Sequence, residues 1–378
     1  MTNLITAKTM KSTQPEITID INTIVERVER IDPISFARTR NFINGDVTYL
    51  SPYISRGVIS TKYVLERTLE RGFNIRQIEK FIQELAWREF FQRTWQQKGS
   101  LIDRYLRNPQ EKVGNTLIPK AIVTASTNVE ALDTGIERLF QTGYMHNHIR
   151  MYVASVACNI GRSHWLSPAR WMYYHLLDGD WASNALSWQW VAGTASNKKY
   201  FANQENINRY CRTNQTGTFL DVDYSGLETM DVPKELVETT SPVLKTRLLD
   251  TGKLLLNRDL PTFIYNSYNL DPHWHTELDA DRILLLEPSH FRRYPVSPFV
   301  IDFLLRLSKN ITGLQIFVGE FAELVRDHSP KDVRFKEHPL NRHYVGTEES
   351  REWMFEVTGD HRSFFAFWKK CEKQLSFF

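Results

Sequence analysis

Apolar residues recur at three- and four-residue intervals in Val58 to Leu69, Ile78 to Trp95, Val129 to Phe140, His148 to Asn159 and Pro168 to Leu177. That period places one apolar stripe along an α-helix. Ser167-Pro168 predicts a helix start, a cap residue followed by Pro at the first helical position, and Gly143, Gly161 and Gly179 predict breaks. The first half is therefore expected to be all-α. From Leu220 to about Pro242 the pattern gives way to Asp221, Asp223, Glu228, Asp231, Glu235 and Glu238, which reads as an acidic linker. Short β-like runs follow at Arg282 to Glu287 and Leu314 to Val318, with an amphipathic stretch between them at Phe299 to Leu307. Two more lie at Val333 to Phe335 and Trp353 to Val357, and Arg362 to Leu375 reads as a closing helix. This alternation predicts a small α/β domain with a parallel sheet. The expected organisation is a polar arm over 1–17, a helical domain over 18–220, a linker over 221–242 and the α/β domain over 243–378.

Composition adds little to this picture. A chain of 378 residues exceeds what one core usually organises, so two domains are expected. With 42% apolar and 24% charged residues, and no apolar run reaching the ~18 residues of a membrane span, an ordinary globular cytoplasmic protein without a membrane partner is expected. The start Met-Thr-Asn-Leu-Ile-Thr-Ala-Lys is too polar for a secretory signal, and Cys158, Cys211 and Cys371 are too few and too far apart for disulfides or an iron–sulfur cluster. Charge is more telling. Residues 1–220 hold 27 Lys/Arg against 19 Asp/Glu, and the remainder 20 against 25. Phosphate neutralisation supplies most non-specific nucleic-acid affinity, so any such contact is expected on the first half.

The chemistry concentrates between Tyr144 and Trp190. The stretch opens Tyr-Met-His-Asn-His-Ile-Arg-Met and ends Leu-Leu-Asp-Gly-Asp-Trp-Ala-Ser-Asn-Ala-Leu-Ser-Trp-Gln-Trp. Each of those polar groups must be satisfied wherever it is buried, so the run reads as a lined pocket. At these blocks, and upstream at Thr48-Tyr49-Leu50-Ser51-Pro52-Tyr53 and Glu84-Leu85-Ala86-Trp87-Arg88-Glu89-Phe90, the sequence resembles the flavin-binding helical domain of the photolyase/cryptochrome family. The resemblance covers roughly half the chain, to about Tyr210. The family's α/β antenna domain precedes its flavin domain and has no counterpart ahead of these motifs, so the α/β tail reads either as a permuted remnant of it or as an unrelated addition. The tail carries no phosphate-cradling glycine loop.

The resemblance implies FAD as cofactor and UV-damaged DNA, single- or double-stranded, as partner. Thr48, Leu50 and Ser51 match a phosphate-binding loop, with Val47 where a first hydroxyl is expected. Arg150 and Asp178 match a pair at the flavin's reactive edge, Asp180 a carboxylate facing the ribose and ring, and Asn184 the position nearest N5. Phe81, Arg88, Tyr144 and Asn147 complete the implied cofactor contacts. Trp188 and Trp165 match the proximal and middle members of a tryptophan electron-transfer chain whose distal position, near Lys112, has no Trp. Glu84, Trp87, Asn147, Met151 and Trp190 match the substrate set, with Glu84 and Trp87 three apart on one helical face and Asn147 and Met151 four apart on another. Asn147 and Met151 are the residues of relatives acting on cyclobutane dimers, whereas relatives acting on (6-4) photoproducts carry histidines there. His148 stands where an arginine is common. The implied activity is therefore a blue-light deoxyribodipyrimidine photolyase, a carbon–carbon lyase. The alternatives are a cryptochrome-like sensor with a protein partner on the C-terminal domain, and a flavin- or nucleic-acid-binding protein without photochemistry. Asp271-Pro-His-Trp-His275, His338 and His343 lack the Cys or carboxylate spacing of a recognised metal set, so no metal is expected.

Overall fold

The computed structural model describes residues 17–377 apart from 197, 251 and 253, and the expected arm up to residue 16 lies outside them. Its first half is helical. Helices α1 (Ile21–Glu29), α2 (Pro33–Thr39), α3 (Ser51–Ser55), α4 (Thr61–Glu70) and α5 (Ile75–Lys98) lead into α6 (Lys120–Val123), α7 (Glu130–Thr142), α8 (Asn147–Ser155), α9 (Leu166–His175), α10 (Trp181–Val191) and α11 (Gln204–Cys211). Local chemistry sets many of the boundaries. The side chains of Asp20, Asp32, Ser60 and Asn74 accept from the first free N–H groups of α1, α2, α4 and α5. Gly143 ends α7 in the left-handed conformation its missing Cβ permits.

Three expectations change here. The helix expected to run from His148 to Asn159 gives way at Val156–Ile160 to a π turn, so its last residues leave the α stripe. The helix expected from Pro168 begins at Leu166 after Trp165, and Ser167 donates its hydroxyl to Thr116 O instead of capping. Pro remains tolerated because the first four N–H groups of a helix have no intrahelical partner. The acidic stretch after Leu220 is folded onto the helical half. It forms α12 (Tyr224–Thr229), α13 (Lys234–Val237) and strand β2 (Thr239–Thr240), which pairs antiparallel with β1 (Ile118–Pro119). Its own Leu227 and Leu236 are buried.

The C-terminal half is α/β. Strands β3 (Thr262–Tyr265), β4 (Asp281–Leu286), β5 (Leu314–Val318), β6 (Val333–Lys336) and β7 (Thr347–Glu349) form one all-parallel sheet in the order β5-β4-β3-β6-β7. Counted within the domain this is 3-2-1-4-5, a doubly wound order whose switch point lies between β3 and β6. Helices α14 (Pro288–Arg293), α15 (Pro298–Ser308) and α16 (Phe321–His328) fill the connections, and α17 (Phe364–Cys371) closes the chain. Trp353 to Val357, expected as a strand, is irregular. The N–H groups of Met354 and Phe355 go to the Glu89 carboxylate on α5 (2.8 and 3.4 Å) instead of to a ladder.

Alternation along the strands divides the apolar side chains between two cores. Phe263 and Tyr265 of β3 and Leu284 and Leu286 of β4 join the large core that runs through the helical half. Ile264, Ile283 and Leu285 face a smaller core with Phe317, Phe321 and Phe335. A third cluster packs α17 against α5.

Candidate functional site

The polar centre forms where α3, α5 and the start of α10 meet. Asp178 and Asp180 lie in the turn that ends at the α10 cap, and Asp180 accepts from Ser183 N at 2.6 Å as that cap. Arg150 projects from α8 and gives Nη2 to both oxygens of Asp178, at 3.0 and 2.9 Å, while its Nε donates to Met145 O at 2.8 Å. Burial alone would raise Asp178. The Arg150 charge, with hydrogen bonds from Arg150 and Ser51, outweighs it and holds the carboxyl below its ordinary value. One turn after Ser51, Ser55 donates to Asp178 O at 2.8 Å and accepts from Arg88 Nη1 at 2.9 Å. Arg88 also lies 3.7 Å from Asp180, and Gln92 donates to the same carboxylate. Arg88 makes these contacts through Nη1, and its Nε and Nη2 have no hydrogen-bond partner among the described residues.

A cavity of about 590 Å³ opens beside this centre. Ser55, Arg88, Gln92 and Asp180 form its helical-half wall, and Tyr268, Asn269, Trp274, Lys336, Arg351 and Trp353 form much of the opposite wall. That volume falls within the roughly 300–1,000 Å³ of small-molecule and cofactor sites. Arg351 ties the two walls together, giving Nη1 to Gln92 Oε1 at 2.6 Å and Nε to Glu337 Oε2 at 3.0 Å. Asn269 is 5% exposed, and its amide nitrogen has no partner among the described residues.

Of the cofactor set expected from sequence, Arg88 and Asp180 line this cavity. Thr48, Leu50, Ser51, Phe81, Tyr144, Asn147, Arg150, Asp178 and Asn184 do not. Leu50 and Phe81 are core residues, and the Tyr144 ring packs on Tyr49 at 5.2 Å, beneath Arg150. Asn184 is buried and gives its amide N–H to Ala169 O at 2.8 Å. Trp188 and Trp165 are buried. Trp165 lies beside His164 with ring centroids 6.0 Å apart, and its indole N–H has no partner among the described residues.

The expected substrate residues are dispersed. Glu84 takes Arg40 Nε at 3.0 Å. Trp87 is stacked by Phe364 of α17, with centroids 3.8 Å apart and planes at 10°. Asn147 is exposed, Met151 is half-buried, and Trp190 is 40% exposed beside Tyr200. Next to them His146 caps α8 by accepting His148 N on Nδ1, which puts any ring proton on Nε2. Burial lowers its pKa to about 4.

Sequence reasoning missed Ser55, Gln92 and the C-terminal wall as a cofactor surface, having weighed its Asp271 to His275 segment only as a metal set. Ser55 and Gln92 sit one helical turn beyond Ser51 and Arg88, a spacing that was available to find them. The wall residues carry no such signal, because the folding of the α/β half alone brings them to α5.

Comparisons agree with the motifs. Residues 81–243 match the family described as the FAD binding domain of DNA photolyase. A deoxyribodipyrimidine photo-lyase of Agrobacterium fabrum is 32% identical over 165 residues, 40% of this chain and 33% of its own length. A chloroplastic/mitochondrial cryptochrome DASH of Ostreococcus tauri is 29% identical over 214 residues, 54% of this chain and 37% of its own. The chain thus spans about a third of the length of the curated relatives it matches. A solved class III photolyase from Agrobacterium tumefaciens covers 50% of this chain and 41% of its own at 26% identity, with a TM-score of 0.42.

The residues present fit a flavin dinucleotide. The cavity has the size, the free donors of Arg88 suit a pyrophosphate, the unpartnered Asn269 amide offers a further donor, and Tyr268 and Trp274 offer aromatic walls.

Proposed function

We propose, from the match of residues 81–243 to the FAD binding domain of DNA photolyase, that the chain is a blue-light photolyase-like enzyme that repairs cyclobutane pyrimidine dimers in DNA. The observation that carries the reading is the coincidence of that match with a built polar centre, Arg150–Asp178 and Arg88–Asp180, beside a cavity of cofactor size. The bound flavin would supply light-driven one-electron chemistry. The chain supplies position and charge. Arg150 keeps Asp178 ionised without leaving a lone buried charge, and Arg88 offers its unused N–H groups to phosphate. Trp188 and Trp165 are buried, oxidisable rings suited to re-reducing the cofactor. Glu84 would hydrogen-bond the base carbonyl that gains charge, and Trp87 offers a flat face to a base flipped from the duplex. DNA would approach over the basic first half.

A second reading rests on a different observation. Glu84 already holds Arg40 and Trp87 already holds Phe364, so the chain's own residues occupy the groups a lesion would need. A cryptochrome-like sensor needs no open substrate pocket, and release of α17 would be the signal its protein partner reads.

Blue-light turnover of a thymine-dimer oligonucleotide by the anaerobically reduced protein, against a dark control and Glu84→Ala, separates the two. Light-dependent repair weakened in the variant establishes the enzyme. No repair from a protein whose flavin photoreduces normally establishes the sensor. No photoreduction in either wild type or Trp188→Phe leaves a binding protein without photochemistry.

A further inference from the structure

Five oxidisable rings from both halves of the chain close a buried circuit around one carboxylate. Tyr268, on the cavity wall, lies 5.7 Å from Trp95 between ring centroids, Trp95 lies 6.0 Å from Tyr294, and Tyr294 lies 5.2 Å from Trp181. Trp181 is 5.4 Å from Tyr173, whose hydroxyl returns to that of Tyr268 at 3.4 Å. Trp95, Tyr173, Trp181 and Tyr294 are all 2% exposed or less. Packing alone accounts for such a cluster but not for where its protons point. Trp181 Nε1 donates to Asp103 Oδ1 at 2.7 Å, and the Tyr294 hydroxyl donates to Asp103 Oδ2 at 3.1 Å. Arg293 holds Oδ2 from the other side at 2.8 Å.

Loss of an electron turns an indole N–H or a phenol O–H into a strong acid. In a dry interior a cation left in place is heavily penalised, so oxidation there calls for a base already bonded to the proton that must leave. Asp103 is that base for two adjacent rings. Burial first, and the neighbouring Asp103 charge second, raise the pKa of Tyr294, so the phenol keeps its proton until the electron departs.

We propose that Trp181, Tyr294 and Asp103 form a proton-coupled radical site, connected to the cavity through Trp95 and Tyr268. One electron leaves the pair for a one-electron oxidant in the cavity, which on the reading above is a light-excited flavin. The hole settles on Tyr294, and its phenolic proton passes along the existing hydrogen bond to Asp103 Oδ2. The result is a neutral tyrosyl beside a neutral carboxylic acid, and return of the electron and proton restores both. Only the identity of the oxidant rests on the flavin reading. The site is separate from Trp188 and Trp165, because neither ring belongs to the circuit.

Two experiments test it. In the cofactor-free protein, ultraviolet flash oxidation of indole followed by freeze-trapped electron paramagnetic resonance should give a tyrosyl spectrum that is lost in Tyr294→Phe. In Asp103→Asn, which retains an acceptor for Trp181 but no base, the tyrosyl should be lost and the indole radical cation should outlive that of wild type. Should Tyr294→Phe fold poorly, incorporated fluorotyrosine should shift the hyperfine pattern in wild type. In the flavin-loaded protein, blue light should produce the same tyrosyl. A tyrosyl signal of undiminished intensity in folded Tyr294→Phe overturns the proposal. A positive ultraviolet result with a silent blue-light one supports the radical site and removes the flavin as its oxidant.

Discussion

At the scale of single residues the Arg150–Asp178 pair is the most consequential polar contact. Asp178 is almost wholly buried, whereas Arg150 keeps about a fifth of its side chain exposed. Asp178→Asn would leave the guanidinium facing a neutral amide. Breaking a buried pair costs about 3–5 kcal/mol, and the partial exposure of Arg150 places the loss near the lower figure. Because the folded carboxyl titrates below its ordinary value of 3.8, its contribution is full above that value and fades as pH falls through the lowered one. Urea midpoints of wild type and variant should therefore differ at neutral pH and converge in acid. The motif made this pair legible, since the partners fall in blocks of fixed spacing. The partners of Glu84 and Trp87 were not legible. Arg40 lies 44 residues before Glu84 and Phe364 lies on the last helix, so no local pattern joins them.

Among the elements, α17 is the one on which the two proposed readings divide. It lays Phe364 flat on Trp87 and buries Phe367, Trp368 and Cys371 against α5. Stacking of a base on an aromatic ring is worth about 1–3 kcal/mol, so a self-stacked Trp87 must forgo a comparable contact before it can take a base. Phe364→Ala should tighten binding of a thymine-dimer oligonucleotide by about tenfold on the repair reading. On the sensor reading it should leave that binding unchanged, and a fluorescence titration distinguishes them. The segment leading to α17 has its own pH dependence. Glu89 receives the Met354 and Phe355 amides, and burial pushes its pKa up to about 7 from an ordinary 4.5. A carboxyl raised on folding stabilises the fold fully below its unfolded value, and the contribution disappears as pH rises through the folded one. Between pH 4.5 and 7 the segment should loosen by up to about 3 kcal/mol. Faster hydrogen exchange at Met354 and Phe355, beyond the intrinsic pH effect and absent from Glu89→Gln, checks this. The same carboxylate explains why a run that reads as a strand in sequence is none. The opposite error concerns β3, whose four residues between Pro261 and Asn266 are too short to show a period, although the strand is central in the sheet. Amphipathic helices of ten or more residues were legible because three turns repeat the stripe, whereas α10, buried on almost every side, carries no stripe and was missed.

For the whole molecule the question is whether the α/β half is an appendage or part of one cooperative unit. An all-parallel sheet is stable only with both faces covered. Here alternate residues of β3 and β4 send Phe263, Tyr265, Leu284 and Leu286 into the core shared with the helical half, while Ile264, Ile283 and Leu285 face the domain's own core. The shared face is reinforced by polar ties. Leu270 N donates to Arg56 O at 2.9 Å, Trp181 N to the Tyr268 hydroxyl at 3.2 Å, and Arg93 Nη2 to Phe355 O at 3.1 Å. Removing the α/β half would expose one side of the core and strip the cavity of Tyr268, Trp274 and Arg351 together. The full chain should therefore unfold in a single transition, with far-ultraviolet circular dichroism and tryptophan fluorescence superimposing. A chain ending at residue 242 should be insoluble or molten and should take up no flavin. Two separated transitions, or a folded flavin-binding fragment 1–242, would instead make the α/β half an independent module whose wall of the cavity is incidental. In that case the cofactor would be held by the helical residues alone.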